Sequence, residues 1–352
     1  MPVKRDEIEQ VLREYRVGEC QAYQRVESGY VNDTWLIQTT TGRYLLKQRH
    51  PDLLNHELIV AQHALIGYLF SLGFPAPQLV PTRSQETYLC LAESVYELQV
   101  YIAGALCNRN QPTQAIAAAR ALGQYHRLVR GFDHPAFHRA HPCYDYRRVD
   151  AVLKQLRQTG DIPLTGTSHE ILTRLEIHAQ QLVASLDRLD RLPHLVVHGD
   201  YYAENIIFQG KKVASIVDYD QANWCARVQE VAEAMIYFAQ ERNARFRHIV
   251  YSGTLDLDAA RSFLAAYVET VHLSDAEVRA LPHLIRLIWV CAALSPPLRP
   301  RLRLDKDREA LCEVLDLADW AQLHAKEIAD IGFEVLDGRN RKDGSMKSGS
   351  FL

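Results

Sequence analysis

Hydrophobic and polar positions divide the chain into a strand-rich first part and a mostly helical remainder. In the first part, short apolar runs bounded by turn residues predict five strands. The sequence TTTGR between the second and third runs predicts a hairpin turn, because glycine is favoured where the backbone turns tightly. The predicted strands occupy residues 20–28, 33–40, 43–49, 87–92 and 95–102.

One helix is predicted between the third and fourth of these strands. Apolar residues recur at steps of three and four from Leu54 to Leu72, which is helical spacing. Gly73 is a typical C-terminal stop, and Pro75 and Pro77 cannot continue a helix. The first part therefore has the layout of a five-stranded sheet with one helix.

After Gly104 the pattern becomes helical, apart from a short strand-rich segment near residue 200. The layout predicts an N-terminal lobe over residues 1–101, a hinge near 99–104 and a larger helical lobe over 102–335 that carries a small hairpin. The last residues, 336–352, are polar and glycine-rich, and we expect them to be disordered. Helices are predicted at residues 112–129, 145–158, 168–188 and over most of 228–334.

Composition narrows the functional classes. The 352 residues carry 40 Lys and Arg against 43 Asp and Glu, so a net charge of -3 gives no general attraction to nucleic acid or membranes. No apolar run is long enough to span a membrane, and the charged N-terminus does not resemble a secretory signal. The seven cysteines are scattered without a CxxC pair, which favours reduced thiols in the cytoplasm.

Candidate chemistry is concentrated in residues 194–224. Two apolar runs, LVV and SIV, are each followed closely by a carboxylate, Asp200 and Asp218, and Asn205 stands between them. The sequence from 205 to 218 reads as a compact hairpin, so Asn205 at its start is expected near Asp218 at its end. Oxygen ligands of this type suit Mg²⁺, which usually binds one or two protein groups together with phosphates. The segment therefore predicts a magnesium–phosphate site.

The pattern H-G-D-x-x-x-x-N, followed thirteen residues later by an aspartate, resembles the aminoglycoside phosphotransferase family, a branch of the protein-kinase-like fold. The resemblance implies a bilobal α+β fold and a catalytic role for Asp200, which would orient the acceptor hydroxyl. It also implies that Asn205 and Asp218 bind magnesium. Asp220, in the sequence DYD, could bind metal or an amine of the substrate.

A kinase-like site also needs residues from the first part of the chain. Lys47, on the third predicted strand, is expected to bind the phosphates of ATP, and Arg49 on the same face is its rival. Glu57 lies four residues before Ala61 on the apolar stripe of the predicted helix. The resemblance implies that Glu57 forms an ion pair with Lys47.

The nucleotide is expected to contact two further segments. The loop between the first two strands contains Gly29, Tyr30, Val31 and Asn32, whose backbone amides could contact phosphate. The hinge residues Gln99, Val100 and Tyr101 are expected to offer backbone groups to adenine, although a continuing strand explains the segment as well.

Two longer stretches, residues 29–47 and 273–294, resemble type II homoserine kinases. One departure is EVA at residues 230–232, where relatives commonly have DLA. The resemblance implies an ATP- and Mg²⁺-dependent phosphotransferase acting on a hydroxyl of a small molecule. An amino alcohol, homoserine or an amino sugar would each suit, and Tyr202 and Trp224 are candidates to contact it. A protein serine/threonine kinase and an inactive nucleotide-binding regulator remain alternatives, and the oligomeric state is unknown.

Overall fold

The computed structural model of the protein describes residues 5–26, 32–140, 144, 145, 147, 149, 151, 153, 154, 167–241, 253–294 and 308–348. The five predicted strands are all present, and they form one antiparallel sheet in the order β1-β2-β3-β5-β4. Their bounds are β1 Cys20–Arg25, β2 Asp33–Thr39, β3 Arg43–Gln48, β4 Leu89–Leu91 and β5 Ser94–Val100.

A helix that the sequence analysis missed, α1 (Arg5–Arg13), packs on this sheet. Its apolar residues Ile8, Val11 and Leu12 follow helical spacing and are buried with Trp35 and Leu46 in a small core of their own. The prediction of a single helix in the first part was therefore wrong. The helix was missed because its short apolar stripe is surrounded by charged residues in the sequence.

The predicted helix after β3 is present as α2 (His56–Ser71), which follows a short turn of 3₁₀-helix. The Asn55 side chain caps it by accepting a hydrogen bond from the Leu58 amide at 3.2 Å. Its buried residues, such as Ala61 and Leu65, belong to the large core of the helical part and not to the small core under α1. The boundary between the two hydrophobic cores therefore differs from the predicted lobe boundary at residue 101, since α2 belongs to the core of the later residues.

Helices dominate the rest of the chain. They surround α6, whose residues are all buried, and α6 packs against α7 and α8. Burial on every side is typical of a central helix. The helices are α3 Pro112–Leu128, α4 Pro135–Arg139, α5 Thr167–Ser185, α6 Arg227–Ala239, α7 Leu257–Val268, α8 Asp275–Leu294, α9 Arg308–Leu323 and α10 Ala325–Ser348.

The C-terminal end is helical as far as it is described. Residues 336–348, where the sequence predicted a disordered tail, continue α10, while 349–352 lie outside the described residues. Ile328, Ile331 and Leu336 are buried in the large core, so they hold the helix against α7 and α8. The polar composition of 336–352 concealed this anchoring. The predicted helix at 145–158 falls mostly outside the described residues.

Two small sheets position the candidate catalytic segment. Strand β7 (His194–Val197) pairs with β10 (Asn223–Ala226), and β6 (Ala105–Leu106) pairs with β8 (Ile206–Gln209), which pairs in turn with β9 (Lys212–Ile216). The predicted hairpin is thus present as β8 and β9. No helix in the described part of the chain is long and apolar enough to cross a membrane.

Candidate active site

The loop after β7 holds Asp200 and Asn205 as one unit. The Asn205 amide nitrogen donates to the Asp200 carboxylate at 2.9 Å and to the Asp200 backbone carbonyl at 3.0 Å. This double contact uses the nitrogen of the amide and does not involve its oxygen. His198 braces the same loop, because its Nε2 lies 3.1 Å from the carbonyl of Val217.

The same loop is tied to the helical core through Gly199. Gly199 has a φ of +78°, and a Cβ there would lie 2.1 Å from the carbonyl oxygen of Gln221, so only glycine fits. Its amide donates to the Glu230 carboxylate at 2.7 Å. The other Glu230 oxygen lies 2.7 Å from His126 Nε2, and His126 Nδ1 lies 2.8 Å from the Tyr267 hydroxyl. Glu230, the first residue of EVA, is therefore a buried anchor of the catalytic loop.

The hairpin brings the second carboxylate to the same place. The Val217 amide donates to the carbonyl of Asn205 at 2.9 Å, so the end of β9 is fixed beside the catalytic loop. Asp218 follows with a φ of +67°, a left-handed conformation that aspartate tolerates better than most residues. Its side chain is 39% exposed and can therefore accept a ligand.

Lys47 reaches this group from β3. Its Nζ lies 3.0 Å from Asp218 Oδ1, 2.8 Å from Asp220 Oδ2 and 3.8 Å from Glu97 Oε1. Burial lowers the pKa of the amine, but the charges of Asp218, Asp220 and Glu97 outweigh burial and raise it above the ordinary lysine value. Lys47 is therefore a charged ammonium, and it is brought together with Asp200, Asn205 and Asp218 as the sequence predicted.

The predicted partner of Lys47 is wrong. The Glu57 carboxylate is 71% exposed and pairs with Arg139 at 2.5 Å, because the first turn of α2 projects beyond the core. The acid beside Lys47 is Glu97, which lies directly opposite it on β5 and is 1% exposed. Sequence reasoning missed Glu97, although it is the one acid in the apolar stretch 95–102.

Glu97 also forms an ion pair with Arg49, which shares a strand face with Lys47 and was the alternative candidate for phosphate binding. The guanidinium lies 2.9 and 3.0 Å from Glu97 Oε2 and 2.9 Å from Gln62 Oε1 on α2. His63 Nε2 completes the shell of Glu97 at 2.9 Å. Burial raises the pKa of Glu97, but the neighbouring Arg49, Lys47 and His63 outweigh it and lower that pKa well below its ordinary value. Glu97 is therefore an anion enclosed by cations.

Asp220 has a different environment from Asp218. Its carboxylate lies 3.2 Å from Arg49 Nη2 and accepts a hydrogen bond at 2.7 Å from Asn32, in addition to its contact with Lys47. Gln62 donates to its backbone carbonyl at 2.8 Å. The Asp220 side chain is 7% exposed, so it joins the sheet and α2 to the hairpin and does not project toward a substrate.

Of the loop residues predicted to contact the nucleotide, the structure describes only Asn32. Gly29, Tyr30 and Val31 lie outside the described residues, and the Asn32 side chain is used by Asp220 and by the His50 amide.

The predicted hinge residues lie at the end of β5, where part of their backbone is already hydrogen-bonded. The Val100 amide donates to the carbonyl of Gln78 at 2.9 Å, and the Tyr101 amide donates to Arg43 at 3.0 Å. These two N–H groups are therefore used within the protein. Gln99 pairs with Leu45 in the sheet, as in the alternative of a continuing strand.

The two aromatic residues predicted to contact the acceptor, Tyr202 and Trp224, have different surroundings. Tyr202 lies in the catalytic loop, where its amide donates to the Asp200 carbonyl at 3.1 Å and its ring stacks on Tyr237. Trp224 lies on β10 opposite Val196, one residue before the end of β7 that leads into the catalytic loop. Its ring lies against His138 and His194 and lines a cavity of about 500 Å³ with residues other than Asp200, Asn205 and Asp218.

The oxygens of Asp200, Asn205 and Asp218 fit a cation. Burial, and then the charge of Asp218, raises the pKa of Asp200 to about 7. The described residues contain no group of three or more His, Cys, Asp or Glu side chains with the geometry of a metal site. Mg²⁺ does not require one, since it takes one or two carboxylates and completes its shell with water and phosphate.

Comparison with known proteins identifies the chain. The family model described as "Phosphotransferase enzyme family" matches residues 22–267. The chain belongs to this family. Its reaction is accordingly phosphoryl transfer to a hydroxyl group of a small molecule.

Individual relatives agree with the family. A homoserine kinase from Nitrobacter hamburgensis is 26% identical over 301 residues, which are 81% of this chain and 81% of the relative. Among solved structures, an aminoglycoside phosphotransferase from Alicyclobacillus acidocaldarius has a TM-score of 0.63 at 14% identity, covering 95% of this chain and 97% of that chain. An amicoumacin kinase in complex with AMP-PNP, Ca²⁺ and Ami has a TM-score of 0.62 at 14% identity, covering 93% of this chain and 94% of that chain. The predicted fold class is confirmed.

Proposed function

We propose that this phosphotransferase uses ATP and Mg²⁺ and transfers the γ-phosphoryl group to a hydroxyl of a small hydroxylated amine, amino acid or amino sugar. The observation that carries the proposal is the convergence of Lys47 from the sheet with Asp200, Asn205 and Asp218 from the loops. A cation beside three oxygen-bearing side chains is the arrangement that phosphoryl transfer requires, since its catalysis consists mostly of positioning and charge neutralisation.

Each side chain has a role in this proposal. Lys47 binds the α and β phosphates, Asn205 and Asp218 hold the metal through their side-chain oxygens, and bound Mg²⁺ neutralises charge on the phosphates. Asp200 accepts a hydrogen bond from the acceptor hydroxyl and takes its proton as the oxygen attacks phosphorus.

The network behind Lys47 supports the same roles. Glu97 and Asp220 are fixed by Arg49, so the lysine is held from behind while Asp218 remains accessible in front. Glu230 fixes Gly199 and therefore the backbone that carries Asp200. Most of the site is thus positioned before ligands arrive, which favours catalysis by orientation. In this proposal the enzyme works in the cytoplasm and binds neither nucleic acid nor membranes.

A coupled ADP-release screen tests the proposal with the full-length protein, ATP and Mg²⁺. The acceptors are hydroxylated amines, amino acids and amino sugars, and single-turnover assays with labelled ATP confirm the product. We expect turnover with at least one small acceptor and none without Mg²⁺. Nucleotide binding without transfer to any acceptor would instead indicate an inactive regulator, and a labelled protein in lysate would indicate a protein kinase.

A further inference from the structure

The Glu230 carboxylate, which holds the catalytic loop, is itself held from the opposite side. One of its oxygens accepts from the Gly199 amide at 2.7 Å, and the other lies 2.7 Å from His126 Nε2 on α3. His126 Nδ1 lies in turn 2.8 Å from the hydroxyl of Tyr267 on α7. These contacts form one continuous chain from α7 to the loop that carries Asp200.

Every side chain of this chain is buried. His126 and Tyr267 are 0% exposed, and Glu230 is 2% exposed. A buried polar group that loses its partner keeps the full cost of its desolvation, because water cannot replace the missing hydrogen bond. The orientation of each member therefore depends on the member before it.

One direction of hydrogen bonding satisfies all the groups. Burial raises the pKa of Tyr267 above its ordinary value, so the hydroxyl keeps its proton and donates it to His126 Nδ1. The imidazole then carries its own proton on Nε2 and donates it to Glu230. Tyr267 therefore determines which nitrogen of His126 is protonated, and so whether Glu230 receives a donor.

Close helix packing places Tyr267 against α3. A Cβ at Gly123, one turn before His126, would lie 2.7 Å from the backbone carbonyl oxygen of Tyr267. Glycine at this position lets α3 and α7 approach each other closely. The Tyr267 hydroxyl is therefore presented to His126 by two packed helices and not by a loop.

We propose that His126 and Tyr267 are positioning residues for the phosphoryl-transfer step. They act through Glu230 on the Gly199 amide, and Asp200 is the next residue in the chain. The orientation of the Gly199 peptide thus sets where the Asp200 carboxylate points, and a displacement of about 1 Å from the productive geometry can cost roughly a hundredfold in rate. The inference rests on the proposed function, because it assumes that Asp200 takes the proton of the acceptor.

The chain should affect transfer more than nucleotide binding. Among the described residues, no hydrogen bond or ion pair joins His126 or Tyr267 directly to Lys47 or Asp218. Loss of the chain should therefore lower kcat and leave KM for ATP nearly unchanged. This split distinguishes positioning of Asp200 from a general loosening of the site.

Conservative variants cut the chain at separate points, with kcat measured on an acceptor found in the ADP-release screen. The amide of His126→Asn is too short to donate to Glu230, so kcat should fall roughly tenfold to a hundredfold. His126→Gln keeps an N–H near the position of Nε2 and loses only the contact with Tyr267. Its kcat should fall roughly twofold to tenfold, and Tyr267→Phe, which cuts the same contact, should match it.

The double variant separates positioning from packing. If Tyr267 acts through His126, Tyr267→Phe should lower kcat no further in the His126→Gln background, because that background already lacks the contact. Losses that multiply would show two independent effects and overturn the inference. This comparison also decides the question if His126→Asn fails to fold.

His178→Gln is the matched control. His178 is also buried and lies 3.1 Å from a carboxylate, that of Asp319, but this pair joins α5 to α9. The control should lower the Tm and keep the wild-type kcat at a temperature where circular dichroism shows a folded protein.

The remaining outcomes have distinct meanings. Wild-type kcat in folded His126→Asn, or an equal loss in His178→Gln, would overturn the inference and leave the proposed function standing. Absence of transfer by the wild type to every acceptor would instead contradict the proposed function.

Discussion

Glu97 lies directly opposite Lys47 across the β3–β5 ladder, and its Oε1 is 3.8 Å from the lysine Nζ. The acid of the sheet that supports Lys47 therefore comes from the neighbouring strand. The helix α2 supplies Gln62 instead, and this amide joins Arg49 to the backbone of Asp220. The sheet thus supplies Glu97 to the lysine, whose amine also contacts Asp218 and Asp220, and α2 secures the backbone that carries these two acids.

We expect Glu97→Gln to lower kcat/KM for ATP by roughly tenfold to a hundredfold, because Lys47 and Arg49 lose their shared buried anion. KM for the acceptor should change little. Steady-state kinetics with ATP as the varied substrate measures the effect, at a temperature where circular dichroism shows a folded variant. Glu57→Gln is the matched control and should behave as wild type. The reverse order of effects would return the role to Glu57.

Asp200→Asn should lower turnover roughly a hundredfold to ten-thousandfold if Asp200 takes the proton of the acceptor. The amide keeps the size of the side chain, so ATP binding should be retained. Single-turnover rates with ATP and the acceptor measure the loss. Wild-type turnover in the folded variant would remove Asp200 from the mechanism.

The same variant should be more stable than the wild type at alkaline pH in the absence of metal. The pKa of Asp200 is about 7 in the folded state against an ordinary value of 3.8, so unfolding releases a proton between these two values. The wild type therefore loses stability as pH rises through this window, and Asp200→Asn does not. Thermal unfolding in EDTA at pH 5 and pH 8 should show the larger gain at pH 8. An equal gain at both pH values would contradict the raised pKa.

Glu230→Ala should destabilise the protein by roughly 2–5 kcal/mol, because the Gly199 amide and His126 would both lose a buried partner. Turnover should also fall, since the backbone of Asp200 loses its anchor. Glu230→Gln can still accept from Gly199 and should retain most of both properties. Urea unfolding and turnover measure the two effects. A stable, fully active Glu230→Ala would show that the anchor is dispensable.

ATP with Mg²⁺ should stabilise the wild type by about 2.7 kcal/mol when the ligand is present at roughly a hundred times its dissociation constant. Asp218→Asn should lose most of this gain, because one of the two metal ligands becomes a neutral amide. Thermal shifts with ATP alone, Mg²⁺ alone and both together measure the effect, with Glu57→Gln as the control. An undiminished shift in Asp218→Asn would place the metal elsewhere.

Local spacing was enough to predict that Asp200, Asn205 and Asp218 lie close together. Asp200, Asn205 and Asp218 lie within nineteen residues, and a hairpin of this length leaves its two ends together whatever the rest of the chain does. Lys47 could be predicted because a strand alternates its faces and a kinase-like site requires a cation there.

The errors share a different origin. The partner of Lys47 depends on the register between β3 and β5, which is fixed only when the strands pair. Glu57 follows helical spacing correctly, but Arg139, far along the chain, captures it at the surface. The amides of Val100 and Tyr101 are likewise consumed by residues that the sequence does not mark as neighbours. These partners are set by contacts between residues far apart in the sequence, which the local sequence pattern does not reveal.

In the proposed function, the contact between Lys47 and Asp218 links the binding of ATP and Mg²⁺ thermodynamically. In the free protein each side chain neutralises the other at 3.0 Å. A phosphate that attracts the amine releases the carboxylate for a metal ion, and a metal ion that occupies the carboxylate releases the amine for phosphate. Each ligand thus removes a competitor of the other, and by reciprocity the nucleotide and the cation should bind with positive cooperativity.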